Sequence, residues 1–377
     1  MLKDVLRERL KSIEDRGLLR TLKSSTLLTS LEGRKIHTAE GDALISFSCN
    51  DYMGLSTHEQ VKQAAIEAIQ LYGVGSRASR LVTGNHPLYS ELEEKIAKVY
   101  NTESALVFSS GYLANIGSIS ALVGRHDMIL ADRFVHASSI DGAKLSGATM
   151  YRFAHNDVRH CYKVLQEFRS QHENCLILVE NVYGMDGDLA PIDELVSLAK
   201  DWNAWLAVDA AHGFGMLSVS QPDIYVGTLS KTTGALGGYA CASKVIIDYL
   251  LNKARSLIYT TALPPAIIAA ASTAIDLYVH QQDVPIRFAK EFCQILGLPA
   301  PKSYIVPLIM KDIESAVLGE QELAKRGILV SAIRPPTVPT PRLRFTFTAA
   351  HKLIEVHRLC NALKETGILA NSVVAQE

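Results

Sequence analysis

Residues 205–238 read WLAVDAAHGFGMLSVSQPDIYVGTLSKTTGALGG, and two apolar runs inside this stretch decide the fold. Leu206–Val208 is a short buried-strand pattern that stops at Asp209, and Ile224–Leu229 is a second that stops at Ser230 and Lys231. In an open α/β sheet, ligands sit outside the carboxyl ends of the strands. An acid and an amine at two such ends can therefore face one ligand from opposite sides.

That arrangement suits pyridoxal phosphate. A lysine amine forms a Schiff base with the cofactor aldehyde, and a carboxylate beside the pyridine nitrogen keeps it protonated, so the ring accepts the electrons of a carbanion. His212, three residues after the acid, can lie near the ring, and Thr228, three before the lysine, can reach the phosphate. Taken singly, a strand-terminal Asp is as readily a cap, and a lone Lys a solvated charge. In order, with Gly-rich turns after each, the two favour the cofactor reading.

DAAHGFG followed by TLSKTTGALGGY resembles the α-oxoamine synthases, pyridoxal-phosphate enzymes with the aspartate aminotransferase type of fold, and the resemblance runs over nearly the whole chain. It implies an α/β fold with a large, mostly parallel sheet domain and a small α+β C-terminal domain. The expected boundaries are an N-terminal helix and strand segment over 1–45 packing with the small domain, the cofactor-binding domain over 46–280, and the small domain over 281–377.

Other stretches carry further candidates. Residues 105–124, ALVFSSGYLANIGSISALVG, give a strand, a Ser-Ser-Gly turn and a helix, so the free N–H groups of the first turn can hold an anion at the positive end of the helix dipole. Gly111 and Tyr112 are the expected phosphate cradle, although an ordinary βα turn has the same form. His136, in LADRFVHASSIDGA, follows another short strand; the resemblance implies that it stacks on the cofactor ring and leaves the opposite face to Lys231. Asn50 lies in CNDYMGL, where the family's NDY-x-GL signature matches, and the implied role is a contact to an amino-acid carboxylate. Arg344, in RLRFTF, is implied as the main ligand of that carboxylate through a two-pronged, charge-assisted contact. Arg20, in GLLRTL, and Thr337, in AIRPPTVP, are implied near the acyl substrate. Thr260, in LIYTTALPPA, is implied to reach the phosphate of a partner subunit, with a buried or capping threonine as the alternative. Lys231, Asp209 and His136 are the expected catalytic residues.

The chain also departs from the family's pattern. Gly184 stands where many relatives carry serine, so a side-chain hydrogen bond near the cofactor is absent or supplied by water, with a backbone or shape contact at Gly184 as the remaining option. Arg77 and Ala78 occupy places often held by glycine, and only Thr340 and Pro341 separate Pro339 from Arg342. FAHNDVRH (153–160) reads as a structural segment with a helix cap at Asn156 or Asp157.

At 377 residues the chain suits about two domains, and a net charge of −1 favours neither nucleic acid nor an anionic membrane. The six cysteines are scattered with no metal-ligand or redox pair, so no metal is expected. Residues 1–23 read as an amphipathic helix without the apolar core of a signal peptide. No run is long enough to span a bilayer, and the expected location is the cytoplasm. The AIRPPTVP match favours the branch that condenses L-alanine with a pimeloyl thioester, on coenzyme A or a carrier protein, in biotin synthesis. The active site is then shared in a homodimer. The alternatives are a sister condensation using glycine or serine, and a non-catalytic partner subunit; the presence of Lys231, Asp209 and His212 argues against the latter.

Overall fold

A computed structural model of the chain describes residues 1–16, 18, 19, 22, 25–27, 35–38, 43–278 and 282–372. Its centre is a seven-stranded sheet. Across it the strands run in the order Ser104–Phe108, Gly238–Ala242, Ile224–Thr228, Trp205–Asp209, Cys175–Glu180, Met128–Asp132 and Thr149–Phe153. Only Gly238–Ala242 runs against its two neighbours; the other described pairings are parallel. Parallel strands are covered on both faces, which is why VIL-rich runs such as Cys175–Glu180 are buried at every position. Separate clusters of buried apolar side chains fill the two faces.

One edge of this sheet gathers the carboxyl ends of five strands. Phe108 leads to Ser110 and Gly111, Asp132 to His136, Glu180 to Gly184, Asp209 to His212, and Thr228 to Lys231. Both strands of the 205–238 stretch form, as Trp205–Asp209 and Ile224–Thr228. The turn after Phe108 is tight: a Cβ on Gly238 would come within 2.2 Å of the Ser110 carbonyl oxygen.

Beyond the large sheet, Ile305–Ile309, Arg342–Thr346 and Ser331–Ile333 make a three-stranded antiparallel sheet. The N-terminal strand Ala43–Ser46 pairs in parallel with Ile328–Leu329, so the early chain packs on the late chain. The first helix spans Leu2–Asp15, shorter than the expected 1–23, and buries none of its residues. Gly17 follows soon after in the sequence and is a poor helix former. Of the two candidate caps, Asp157 takes the role, accepting the His160 N–H at 2.8 Å, while Asn156 turns the chain at φ +54°. Arg77 has φ +66°, a left-handed conformation in which glycine is the usual occupant. Among the described residues, no helix is long and apolar enough to cross a membrane.

Candidate active site

The strand ends enclose a cavity of about 260 Å³, and its lining includes Gly111, Tyr112, His136, Asp209, His212, Thr228 and Lys231. Residues spread over 120 positions are thus brought together by the turns that follow five strands, three of which lead into helices. The helix Gly111–Leu122 points its N-terminus into this space. Its cap is Ser110, whose Oγ accepts the Leu113 N–H at 3.2 Å and whose carbonyl accepts the Ala114 N–H at 2.9 Å. This leaves the N–H groups of Gly111 and Tyr112 for a ligand. A Cβ at Gly111 would lie 2.7 Å from Thr228 Cβ and 3.2 Å from the Gly227 carbonyl, so only glycine lets the helix start approach so closely. The Tyr112 hydroxyl points away, donating to Asp141.

Asp209 is buried and held from two sides. Its Oδ2 accepts from Asn115 Nδ2 at 2.6 Å and its Oδ1 from the Ala211 N–H at 2.9 Å. Asn115 also donates to Ser138 Oγ at 3.0 Å, and Ser138 Oγ lies 2.7 Å from His136 Nδ1. One hydrogen-bonded chain therefore orients both the acid and the imidazole expected to hold a ring. Burial, and next the field of Asp209 partly opposing it, leave the His136 pKa below its ordinary value.

Lys231 Nζ lies 2.7 Å from His212 Nε2, and His212 Nδ1 lies 2.6 Å from the Tyr52 hydroxyl. Burial brings the Lys231 pKa down to about 8, against the raising effect of Asp209 and Glu180. His212 is pushed well below its usual range by burial and then by the neighbouring cations Lys231 and Arg344, so the ring is neutral. Tyr52 is pushed up to about 12 by burial and stays protonated. Space for this imidazole exists because residue 184 is glycine: a Cβ there would fall 2.3 Å from His212 Nε2.

The substrate candidates divide. Arg344 is buried, donating from Nε to the Gly184 carbonyl at 2.5 Å and from Nη2 to Asn50 Oδ1 at 3.2 Å, so these two, 294 residues apart, meet beside the Tyr52 end of the lysine chain. Thr228 lines the cavity, but its hydroxyl donates to the Gly237 carbonyl at 2.9 Å, with Ser230 Oγ beside it at 2.8 Å. Thr260 is half-buried outside the lining, next to the segment 261–262 that pairs with 76–79. Thr337 is exposed at the rim of a separate cavity of about 660 Å³, whose wall includes Leu10, Ile13 and Arg16 of the N-terminal segment. Arg20 lies outside the described residues.

Sequence reading missed Asn115, Ser138, Ser230 and Glu180. Asn115 was detectable as the lone amide in the otherwise small and apolar helix 111–122, one turn after Gly111. Glu180 lines the cavity and pairs in register with Asp209 on the adjacent strand. Burial and then the charge of Asp209 raise its pKa well above the ordinary carboxylate value.

An amine of lowered pKa, a fixed carboxylate, a neutral imidazole and a glycine-lined anion cradle in one cavity fit pyridoxal phosphate. The glycine at 111, where a Cβ would collide with Thr228 and push the helix start away from the strand end, is the observation that tests the fit. The class defined here is that of the pyridoxal-phosphate enzymes of aminotransferase class I and II, and residues 42–363 match that family. A serine palmitoyltransferase from S. paucimobilis, solved with a bound PLP–myriocin adduct, superposes with a TM-score of 0.85 at 27% identity, covering 97% of this chain and 98% of that one. An 8-amino-7-oxononanoate synthase from Francisella tularensis matches with a TM-score of 0.71 at 30% identity, covering 86% and 98%. In sequence, the 8-amino-7-oxononanoate synthase of Methylobacterium sp. (strain 4-46) is 45% identical over 368 residues, 96% of each chain. The chain belongs to the 8-amino-7-oxononanoate synthase family, and it is a pyridoxal-phosphate-dependent acyltransferase.

Proposed function

We propose that this enzyme condenses L-alanine with a pimeloyl thioester, releasing carbon dioxide and the free thiol and forming 8-amino-7-oxononanoate for biotin synthesis. The observation that carries the reading is the meeting of Arg344 with Asn50 beside the Tyr52–His212–Lys231 chain: a cation for an α-carboxylate next to an amine that can take the α-proton. Similarity to named synthases at 43–49% identity supports the choice of substrates.

Lys231, Asp209, His136, His212 and the Gly111–Tyr112 turn would hold the cofactor, with Thr228 and Ser230 next to the turn. Bound pyridoxal phosphate supplies an aldehyde for the amine and an electron sink for the charge left on Cα. The protein's own part is positional and protolytic. Asp209, fixed by Asn115 and the Ala211 N–H, would hold the cofactor's ring nitrogen through its carboxylate. Arg344 and Asn50 bind the alanine carboxylate. Lys231 Nζ removes the Cα proton and returns it after carbon dioxide has left; positioned proton transfer of this kind contributes about 10²–10⁴-fold. Gly184 supplies shape and its carbonyl in place of a side-chain hydroxyl. Thr337, at the rim of the separate cavity walled by Leu10, Ile13 and Arg16, is assigned to the acyl chain, and Thr260 to the partner's site in a homodimer.

The test is carbon dioxide and thiol release from pimeloyl-CoA with alanine, glycine or serine. Turnover with alanine alone supports the assignment. Turnover with only glycine or serine leaves the chemistry in place and removes the substrate assignment.

A further inference from the structure

FAHNDVRH contributes nothing to the cavity lining, yet the first of its two histidines, His155, occupies a two-sided ionic clamp. His155 Nδ1 lies 3.0 Å from Asp132 Oδ1 and Nε2 lies 2.8 Å from Asp188 Oδ2. Burial disfavours the charged ring, but the two carboxylates outweigh it and raise the pKa to about 9, so His155 is an imidazolium. Asp132, fully buried at the end of its strand, also accepts the N–H groups of Phe134 and Asn156, each at 2.8 Å. Asn156 Nδ2 adds a 2.7 Å bond to Asp188 Oδ2. The edge of Tyr183 packs on the imidazole at 4.4 Å, with Phe134 at 4.6 Å. The Asp188 end of the loop 183–188 is thereby fastened to the central sheet.

The other side of the same loop is held by the small sheet. Arg342 and Arg344, two apart on one strand and so on one face, both reach it. Arg344 Nε donates to the Gly184 carbonyl at 2.5 Å; Arg342 Nη1 donates to the Met185 carbonyl at 3.2 Å and pairs with Asp186. Internal bonds make the loop one unit: Tyr183 N–H to the Asp188 carbonyl at 3.0 Å and Gly187 N–H to the Tyr183 carbonyl at 2.8 Å. Movement at Asp188 is therefore passed to Gly184.

We infer that His155 is a positioning residue for amino-acid binding: by fixing Asp188 it sets the Gly184 carbonyl, and through it the direction in which Arg344 presents Nη2 to the substrate carboxylate. The inference rests on the assignment of Arg344 to that carboxylate. His155 itself touches neither Arg344 nor the cavity.

The holoenzyme variants His155→Gln and Asp188→Asn test it, with Arg344→Lys as reference. His155→Gln is expected to raise KM for the amino acid roughly tenfold while kcat changes less than about twofold, because displacement of a binding group by a fraction of an ångström weakens binding throughout the reaction. Visible cofactor absorbance should be unchanged. Asp188→Asn, which retains the Asp132 half of the clamp, should shift KM in the same direction and decides the matter if His155→Gln does not fold. A raised KM in Arg344→Lys with unchanged KM in both clamp variants overturns the inference and leaves the arginine assignment standing. Unchanged KM in Arg344→Lys overturns both. A fall in kcat at constant KM in the clamp variants also overturns it, since that is the signature of damage to the reacting groups.

Discussion

Asn115 Nδ2 donates to Asp209 Oδ2 at 2.6 Å, and the same nitrogen donates to Ser138 Oγ at 3.0 Å. A helix amide thus aligns the carboxylate expected at the ring nitrogen. Hydrogen bonds to charged groups contribute about 1.5–3 kcal/mol, so Asn115→Leu should weaken cofactor affinity by roughly tenfold or more. Titration of the apoprotein with pyridoxal phosphate measures it; an unchanged Kd removes Asn115 from the cofactor site.

Lys231→Ala should reduce turnover by at least about 10²–10⁴-fold, because the substitution deletes the proton carrier and the covalent attachment together. Thiol release from pimeloyl-CoA at saturating alanine is the measurement. Wild-type-like turnover would mean that another residue carries the proton.

The lowered Lys231 pKa gives reloading of the apoprotein a definite pH dependence. Only the neutral amine attacks an aldehyde. Below about pH 8 the amine is increasingly protonated, so the rate should fall close to tenfold per pH unit, and it should level off above that point. The rate of growth of the visible band on mixing with pyridoxal phosphate, followed from about pH 6 upward, checks this. A rate still rising toward the ordinary lysine value of 10.5 would show that burial does not depress this amine.

Gly187→Ala should be strongly destabilising. The residue has φ +72°, and a Cβ there would meet the Ile305 carbonyl oxygen at 2.0 Å. Left-handed backbone strain costs about 1–3 kcal/mol for a residue with a side chain, and the backbone clash adds to it. Thermal unfolding should shift down by several degrees; an unchanged Tm would require Ile305 to move freely, against its place in the small sheet.

The chain's order made the strand-end residues legible. Asp209 and Lys231 each end an apolar run, and Gly111 opens a helix after another, so local periodicity and turn chemistry were sufficient to place them. Asn50 beside Arg344 was not legible in this way: the two are joined only by tertiary packing, and their meeting was expected from resemblance alone. His155 and Asn115 escaped for a related reason. Each acts through side-chain partners 23 to 94 residues distant, which no spacing in the sequence encodes, and only its being the lone amide of the helix 111–122 marks Asn115. The first helix was overextended because its approximate apolar stripe continues in the sequence beyond Asp15, where the helix ends.

The pairing of Glu180 with Asp209 on neighbouring strands puts two carboxyl groups side by side in the cavity lining. Burial, and next the nearby Asp209, raise the pKa of Glu180 well above its ordinary value, so it holds a proton more tightly than a free carboxyl does. An amide at 180 would fill the same polar space without a second ionisable group, whereas an amide at 209 would remove the carboxylate that Asn115 and the Ala211 N–H hold in place.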